Sequence, residues 1–217
     1  MRLIARATIA LLALLPLACS AADDPAFKEG TQYKQVLNPQ EPADPKKVEV
    51  TEVFWYGCPH CYAFDPVIEG WRAKAPGYVS FDRLPSSLGR ADGEVHARAF
   101  YIAEALGVGD KIHKPLFDAI HVDHKPMSTL EALRDLFGSV ASVKPTDFDQ
   151  ASSSFMVDSR VRRSESLLRA YGVTSVPTMI VDGRYMTSGS MAGGNDKVVD
   201  VLNFLVERQR KERKLGK

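Results

Sequence analysis

Apolar and polar residues alternate from Val48 to Tyr56 (VEVTEVFWY), and the run stops at Gly57. β-Branched and aromatic residues with that period predict a strand, with Val48, Val50, Phe54 and Tyr56 on one face. Glu52 falls on the same apolar face. Its carboxylate is therefore either buried or at the solvent end of the strand. Pro59 suits the first turn of a helix, where its missing N–H removes no hydrogen bond. This predicts a helix N-terminus at Cys58, with Cys61 inside the first turn. The helix continues through Tyr62 and Phe64 towards Trp71, with a kink at Pro66. Tyr78 to Leu84 (YVSFDRL) predicts the next strand.

The pattern then turns helical from Ser87 to about Arg163. Glu94 to Leu106 predicts a helix closed by Gly107, and Asp110 can cap a second one through Phe117 to Ile120. Ser128-Thr129-Leu130-Glu131 reads as a capping box opening Leu130 to Phe137, closed by Gly138. Thr146 can cap another helix towards Phe155. A further helix, Val161 to Tyr171, leads to Gly172. Strand character resumes at Val176-Pro177-Thr178-Met179-Ile180-Val181. Asp182-Gly183 is a two-residue hairpin signal, after which Arg184 to Met186 return. Asn195-Asp196 caps a last helix with Val198, Val201, Leu202, Leu205 and Val206 on its inner face. Ahead of the first strand, Pro39, Pro42 and Pro45 discourage helix, and Tyr33, Val36 and Leu37 can supply a short edge strand.

The order β, α, β, helical block, α, β, β, α predicts an α/β fold. One small mixed sheet has helices on its faces, and an all-helical domain is inserted into it. The expected divisions are a leader over 1–22, the first part of the sheet domain over 23–86, the insertion over 87–163 and the second part over 164–217.

Composition changes this picture little. Of 217 residues, 45% are hydrophobic and 25% charged, ordinary for a soluble globular protein. The formal net charge of +1 argues against nucleic acid as the main partner. The leader changes it more. Arg2 and Arg6 precede an apolar run, Ala7 to Ala18, too short to span a bilayer. Small residues Cys19-Ser20-Ala21-Ala22 and then Asp23-Asp24 follow. This is the pattern of a secretory signal peptide, with cleavage expected after Ala22. Cys19 gives lipid attachment as a second reading, which Pro16 and Leu17 fit poorly. Both readings place the mature chain in an exported, oxidising compartment.

After cleavage two cysteines remain, in Cys58-Pro59-His60-Cys61. A structural zinc needs four convergent ligands, and the chain has no second cysteine pair. His121 and His124 are expected to be exposed helix-end residues, so no metal is expected. A structural staple closing so small a loop contributes little chain entropy. Redox chemistry needs only one reactive thiol and one resolving thiol. The helix N-terminus and His60, when protonated, favour a thiolate at Cys58. Cys61, one turn inward, is expected to be buried and less ionised. The pair thus assigns Cys58 as the reactive, exposed thiol and Cys61 as the resolving one. A stabilised Cys58 thiolate is a good leaving group, so the pair gives its disulfide to other thiols. Such exchange needs no dissociable cofactor.

Phe54-Trp55-Tyr56-Gly57-Cys58-Pro59-His60-Cys61-Tyr62, the helical insertion and Gly172-Val173-Thr174-Ser175-Val176-Pro177-Thr178 together resemble the DsbA family of periplasmic thiol oxidants. The resemblance covers about Phe27 to Arg210. The long form with Trp55-Tyr56-Gly57 is most similar to the enzymes of Gram-negative proteobacteria. It implies a thioredoxin fold with the helical domain inserted. It implies that Pro177 is a cis-proline facing Cys58 and Cys61, with the Val176 backbone pairing an extended substrate peptide. It implies a proton-handling role for Glu52 near Cys61. Arg83 stands where the family often has a lysine paired with that carboxylate. Arginine keeps its charge and cannot relay a proton. An ordinary cross-strand salt bridge is the competing reading of Glu52 and Arg83.

The resemblance implies a monomeric periplasmic disulfide oxidoreductase. Its substrates are exported cysteine-containing proteins, and a quinone-linked membrane oxidase of the DsbB type recharges it. The rivals are a thiol reductant or disulfide isomerase on the same fold, and a peptide-binding chaperone module. An isomerase usually adds a dimerisation module, and none is visible before Val48.

Overall fold

The computed structural model describes residues 26–216, so the expected leader and Cys19 lie outside the described residues. The sheet has five strands: β1 (Lys34–Gln35), β2 (Val48–Phe54), β3 (Val79–Pro85), β4 (Thr178–Val181) and β5 (Tyr185–Ser188). Their spatial order is β1-β5-β4-β2-β3. β2 pairs parallel with β3 and antiparallel with β4, so the sheet is mixed as expected. Asp182 and Gly183 take φ of 55° and 61° in the β4–β5 hairpin, the backbone that Asp-Gly turns favour.

Between β2 and β3 runs α1 (Pro59–Arg72), uninterrupted through Pro66. Between β3 and β4 lie α2 (Ala91–Ala105), α3 (Gly109–His121), α4 (Leu130–Ala141), α5 (Pro145–Ser152) and α6 (Phe155–Tyr171). The chain ends in α7 (Gly189–Ala192) and α8 (Asn195–Glu212). Among the described residues no helix is long and apolar enough to cross a membrane.

Several helix ends differ from the sequence expectation. Thr129, rather than Ser128, caps α4, accepting a hydrogen bond from the Ala132 N–H. Gly138 does not close α4. The helix continues to Ala141 and stops at Ser142, which adopts a left-handed φ of 56°. Thr146 is not a cap either, because Pro145 takes the first helical position and Lys144 precedes it. The last long helix before β4 starts at Phe155, where the Ser154 side chain accepts from the Val157 N–H. The expected join at 163 and 164 therefore falls inside one continuous helix. The reason is packing. Val157, near the start of α6, belongs to the core of the helical block, whereas Leu168 and Tyr171 pack on the sheet.

The sheet has two differently covered faces. Val48 and Val50 pack with Phe64 and Ile68 of α1 and with Val198, Val201 and Leu202 of α8. Val53, Leu84, Ile180 and Met186 pack under Leu168 and Tyr171. Phe54 and Tyr56 share the face of Val48 and Val50 but enter the core of the helical block. Glu52 thus lies at the seam between two cores, opposite Arg83 in the β2–β3 register.

Candidate active site

The end of β2 reaches α1 through a tight turn. The Cys58 N–H bonds the Trp55 carbonyl at 3.0 Å, leaving Tyr56 and Gly57 as the central residues. Gly57 is not in the left-handed region. Glycine is required here because a Cβ would sit 2.3 Å from the Trp55 ring. That ring cannot move aside freely, since its indole N–H donates to Nδ1 of buried His96 at 3.0 Å. Gly57→Ala is therefore expected to lower stability by about 1–3 kcal/mol, through overpacking or loss of the indole bond. A denaturant titration with unchanged slope would measure it.

Cys58 is the N-cap residue of α1, with Pro59 in the first turn as the sequence predicts. Both sulfurs are free thiols. Cys58 is lowered to about 6: the Cys61 thiol donates to its sulfur, and the N–H groups of Cys61 and His60 add to this against the penalty of burial. The His60 charge adds less to this than the Cys61 thiol and the N–H groups of the helix start do. Cys61 is pushed far above the ordinary thiol range by burial first and by Cys58 second. Cys61 is fully covered, and Cys58 retains only 7% exposure. The expectation of an exposed Cys58 is thus corrected. Its Sγ lies 3.8 Å from the Val176 carbonyl, which closes over it. The Val176–Pro177 bond is cis, and Val176 is half-buried beside the thiol.

Glu52 is 2% exposed, and burial raises its carboxyl to about 7 despite Arg83. The Arg83 Nε–H donates to Glu52 Oε2 at 2.9 Å. Its other arm reaches Asp65 Oδ1 at 3.4 Å and also Glu69. Asp65 accepts from His113 Nε2–H at 3.0 Å, and His113 Nδ1 accepts from the Tyr56 hydroxyl at 2.9 Å. Burial lowers His113, which keeps the neutral ring that this donor–acceptor pattern requires. Burial also tends to raise Asp65, but its His113 bond and Arg83 outweigh this and hold it low. A pocket lined by Tyr62, Asp65, Glu69, Arg83, His113 and Lys114 lies beside the outer end of this network. The charge of Glu52 also contributes to the high value of Cys61.

The two histidines singled out together at the end of α3 separate. His124 is exposed, as expected. His121 is not simply exposed: its Nε2–H donates to the Tyr56 carbonyl at 2.7 Å, and its ring stacks on Tyr62. Sequence reading missed Asp65, Glu69, His96 and His113, and gave His121 only an exposed place. A signal existed for two of them, because Asp65 and Glu69 follow Cys61 at four-residue steps on one face of α1.

Residues 49–205 match the family described as DSBA-like thioredoxin domain. The thiol:disulfide interchange protein DsbA of Pseudomonas aeruginosa is 36% identical over 208 residues, covering 96% of both chains. The protein of that name from Azotobacter vinelandii is 39% identical over 184 residues, covering 85% of each. The crystal structure of Pseudomonas aeruginosa DsbA superposes with a TM-score of 0.82 at 37% identity, covering 89% of this chain and 98% of that one.

Proposed function

The chain belongs to the DSBA-like thioredoxin family, and from that premise we propose that it is a thiol:disulfide oxidoreductase that donates the Cys58–Cys61 disulfide to cysteine-containing proteins. The observation that supports donation is the opposite displacement of the two sulfurs. Cys58 is lowered to about 6, whereas Cys61 is held far above its ordinary value. In the oxidised protein, a substrate thiolate attacks Cys58. The Cys58–Cys61 bond breaks, a mixed disulfide forms at Cys58, and Cys61 departs as a thiolate. So basic a leaving group needs a proton. Glu52, near 7 and electrostatically coupled to Cys61, is poised to supply it. The second substrate thiolate then attacks its own sulfur in the mixed disulfide. Cys58 leaves as a stabilised thiolate, and the substrate keeps the new disulfide.

Arg83 holds the Glu52 carboxylate in place but carries no proton itself. Pro59 opens the helix whose N–H groups receive the Cys58 sulfur. The Val176 carbonyl, next to cis-Pro177, lies 3.8 Å from that sulfur, and the Val176 backbone is the proposed contact for an extended substrate peptide. The apolar leader with small residues before Asp23 supports export to the periplasm. There a DsbB-type quinone-linked membrane oxidase would restore the disulfide.

The test is the redox equilibrium with glutathione. The expected position is strongly oxidising, and a potential as low as a thioredoxin's would sink the donor reading. His60→Ala is expected to make the protein less oxidising, by less than about tenfold in that equilibrium constant. The effect is small because His60 is exposed and stabilises the Cys58 thiolate less than Cys61 and the helix-start N–H groups do. An equilibrium constant unchanged by this substitution would remove His60 from the site.

A further inference from the structure

The turn that delivers Cys58 has an unusual tether. Its central peptide joins Tyr56 to Gly57, and the carbonyl of that peptide accepts from His121 Nε2–H at 2.7 Å. His121 is the last residue of α3, far along the chain from the turn. The same helix holds the other end of Tyr56 as well, through His113 and the hydroxyl at 2.9 Å. One helix of the insertion therefore grips a single residue at both its backbone and its side chain.

The carbonyl is the informative half. Type I and type II turns differ by a flip of the central peptide, which reverses this carbonyl. The flipped form needs a positive φ at the third turn residue, and glycine adopts that without steric penalty. Gly57, required here by the close Trp55 ring, consequently leaves the turn free to flip. Yet Gly57 stays outside the positive-φ region. The His121 bond is made to the carbonyl in that form.

We propose that His121 is a positioning residue of the thiol site: its ring N–H locks the Tyr56–Gly57 peptide and so presents Cys58 to the start of α1 in one geometry. The proposal rests on the thiol–disulfide reading above. The groups facing the His121 ring are Tyr62, stacked at 4.8 Å and 17°, and Phe117 at 6.1 Å. Asp118 accepts from the Tyr62 hydroxyl at 3.2 Å and also binds Lys114. The His96 ring of α2 lies 6.4 Å from the Tyr56 ring. Cys58 itself faces Cys61 and His60.

The discriminating variant is His121→Phe, which keeps the stack on Tyr62 and removes the donor. Cys58 alkylation by iodoacetamide is followed against pH in the reduced full chain, where Cys61 is fully covered. H121F is expected to raise the midpoint by roughly half to one unit, or about three- to tenfold less thiolate below it, the scale of one hydrogen bond. His121→Gln, which restores an N–H donor, is expected to return most of that shift, and His124→Ala to leave the midpoint at the wild-type value. A purely structural role would lower the melting temperature of H121F and leave the alkylation midpoint at the wild-type value. That result overturns the proposal, as does a glutamine variant no better than phenylalanine. Should H121F fail to fold, NMR of the unaltered protein decides. A slowly exchanging His121 Nε2 proton coupled to the Tyr56 carbonyl is expected, and its absence overturns the proposal. The wild-type midpoint by itself tests the redox reading, whereas the difference between wild type and variant tests this one.

Discussion

Replacing Cys58 by Ser is expected to abolish disulfide transfer to a reduced, unfolded substrate protein completely. A hydroxyl cannot form the mixed disulfide, and the remaining thiol cannot take its place. Cys61 is fully covered and held far above the ordinary thiol range. Thiolate and not thiol is the reacting species, so such a sulfur is nearly inert at neutral pH. The converse variant, Cys61→Ser, keeps the Cys58 sulfur with a hydroxyl donor beside it but loses the thiol that resolves it. It is expected to accumulate mixed disulfides at Cys58, visible by mass spectrometry and reversed by reductant. The checking measurement for both is the recovery of activity of a reduced substrate protein. A peptide-binding module with a merely structural cysteine pair would retain its action after Cys58→Ser. Retained activity would therefore refute the redox reading.

Glu52→Gln is expected to stabilise the protein by about 3 kcal/mol near pH 8 and by almost nothing near pH 4. The buried carboxyl is raised from 4.5 to about 7. The folded state therefore holds this proton more tightly than the unfolded chain does. Stability from the group is fully present below 4.5 and is lost as pH rises through about 7. Above that, the folded protein carries an ion that burial opposes and Arg83 only partly compensates. Glutamine imitates the neutral form and escapes the loss. Urea unfolding of both proteins at the two pH values measures the difference. A gap that did not widen with pH would mean that Glu52 titrates normally. The same variant should slow the step in which Cys61 leaves, because its proton source is gone. A residue that lowers stability at working pH yet whose charge is felt at Cys61 fits a functional role better than an ordinary cross-strand salt bridge.

The order of strands and helices was legible because hydrophobic period and helix punctuation are local. Val48 to Tyr56 alternates, Pro59 opens a helix, Asp182-Gly183 turns a hairpin, and each is encoded within a few residues. Helix ends were less legible where two signals competed. Gly138 is a good stop signal, but α4 runs on to Ala141, which packs against the core of the helical block, and ends only at left-handed Ser142. Phe155, 80% exposed, gave no amphipathic cue that α6 begins there. The site divided in the same way. Cys58, Pro59, His60 and Cys61 are contiguous, and Val176–Pro177 could be reached by resemblance. His96, His113 and His121 carry no local mark of their task.

By itself the sequence determined the asymmetry of the two sulfurs. A strand running into a proline-opened helix places Cys58 at the N-terminus and Cys61 within the first turn, and the field of a helix end acts over that short distance. It also determined that a carboxylate would lie on an apolar face. Tertiary structure alone decided what those groups meet. The β2–β3 register set Arg83 beside Glu52, and α3 brought His113 and His121 to the two ends of Tyr56. Packing, with the Val176 carbonyl 3.8 Å from the sulfur, left Cys58 nearly covered where the sequence suggested exposure. Contacts of this kind join segments far apart along the chain. Each segment's pattern records that it has a buried face, and only packing selects the partner that buries it.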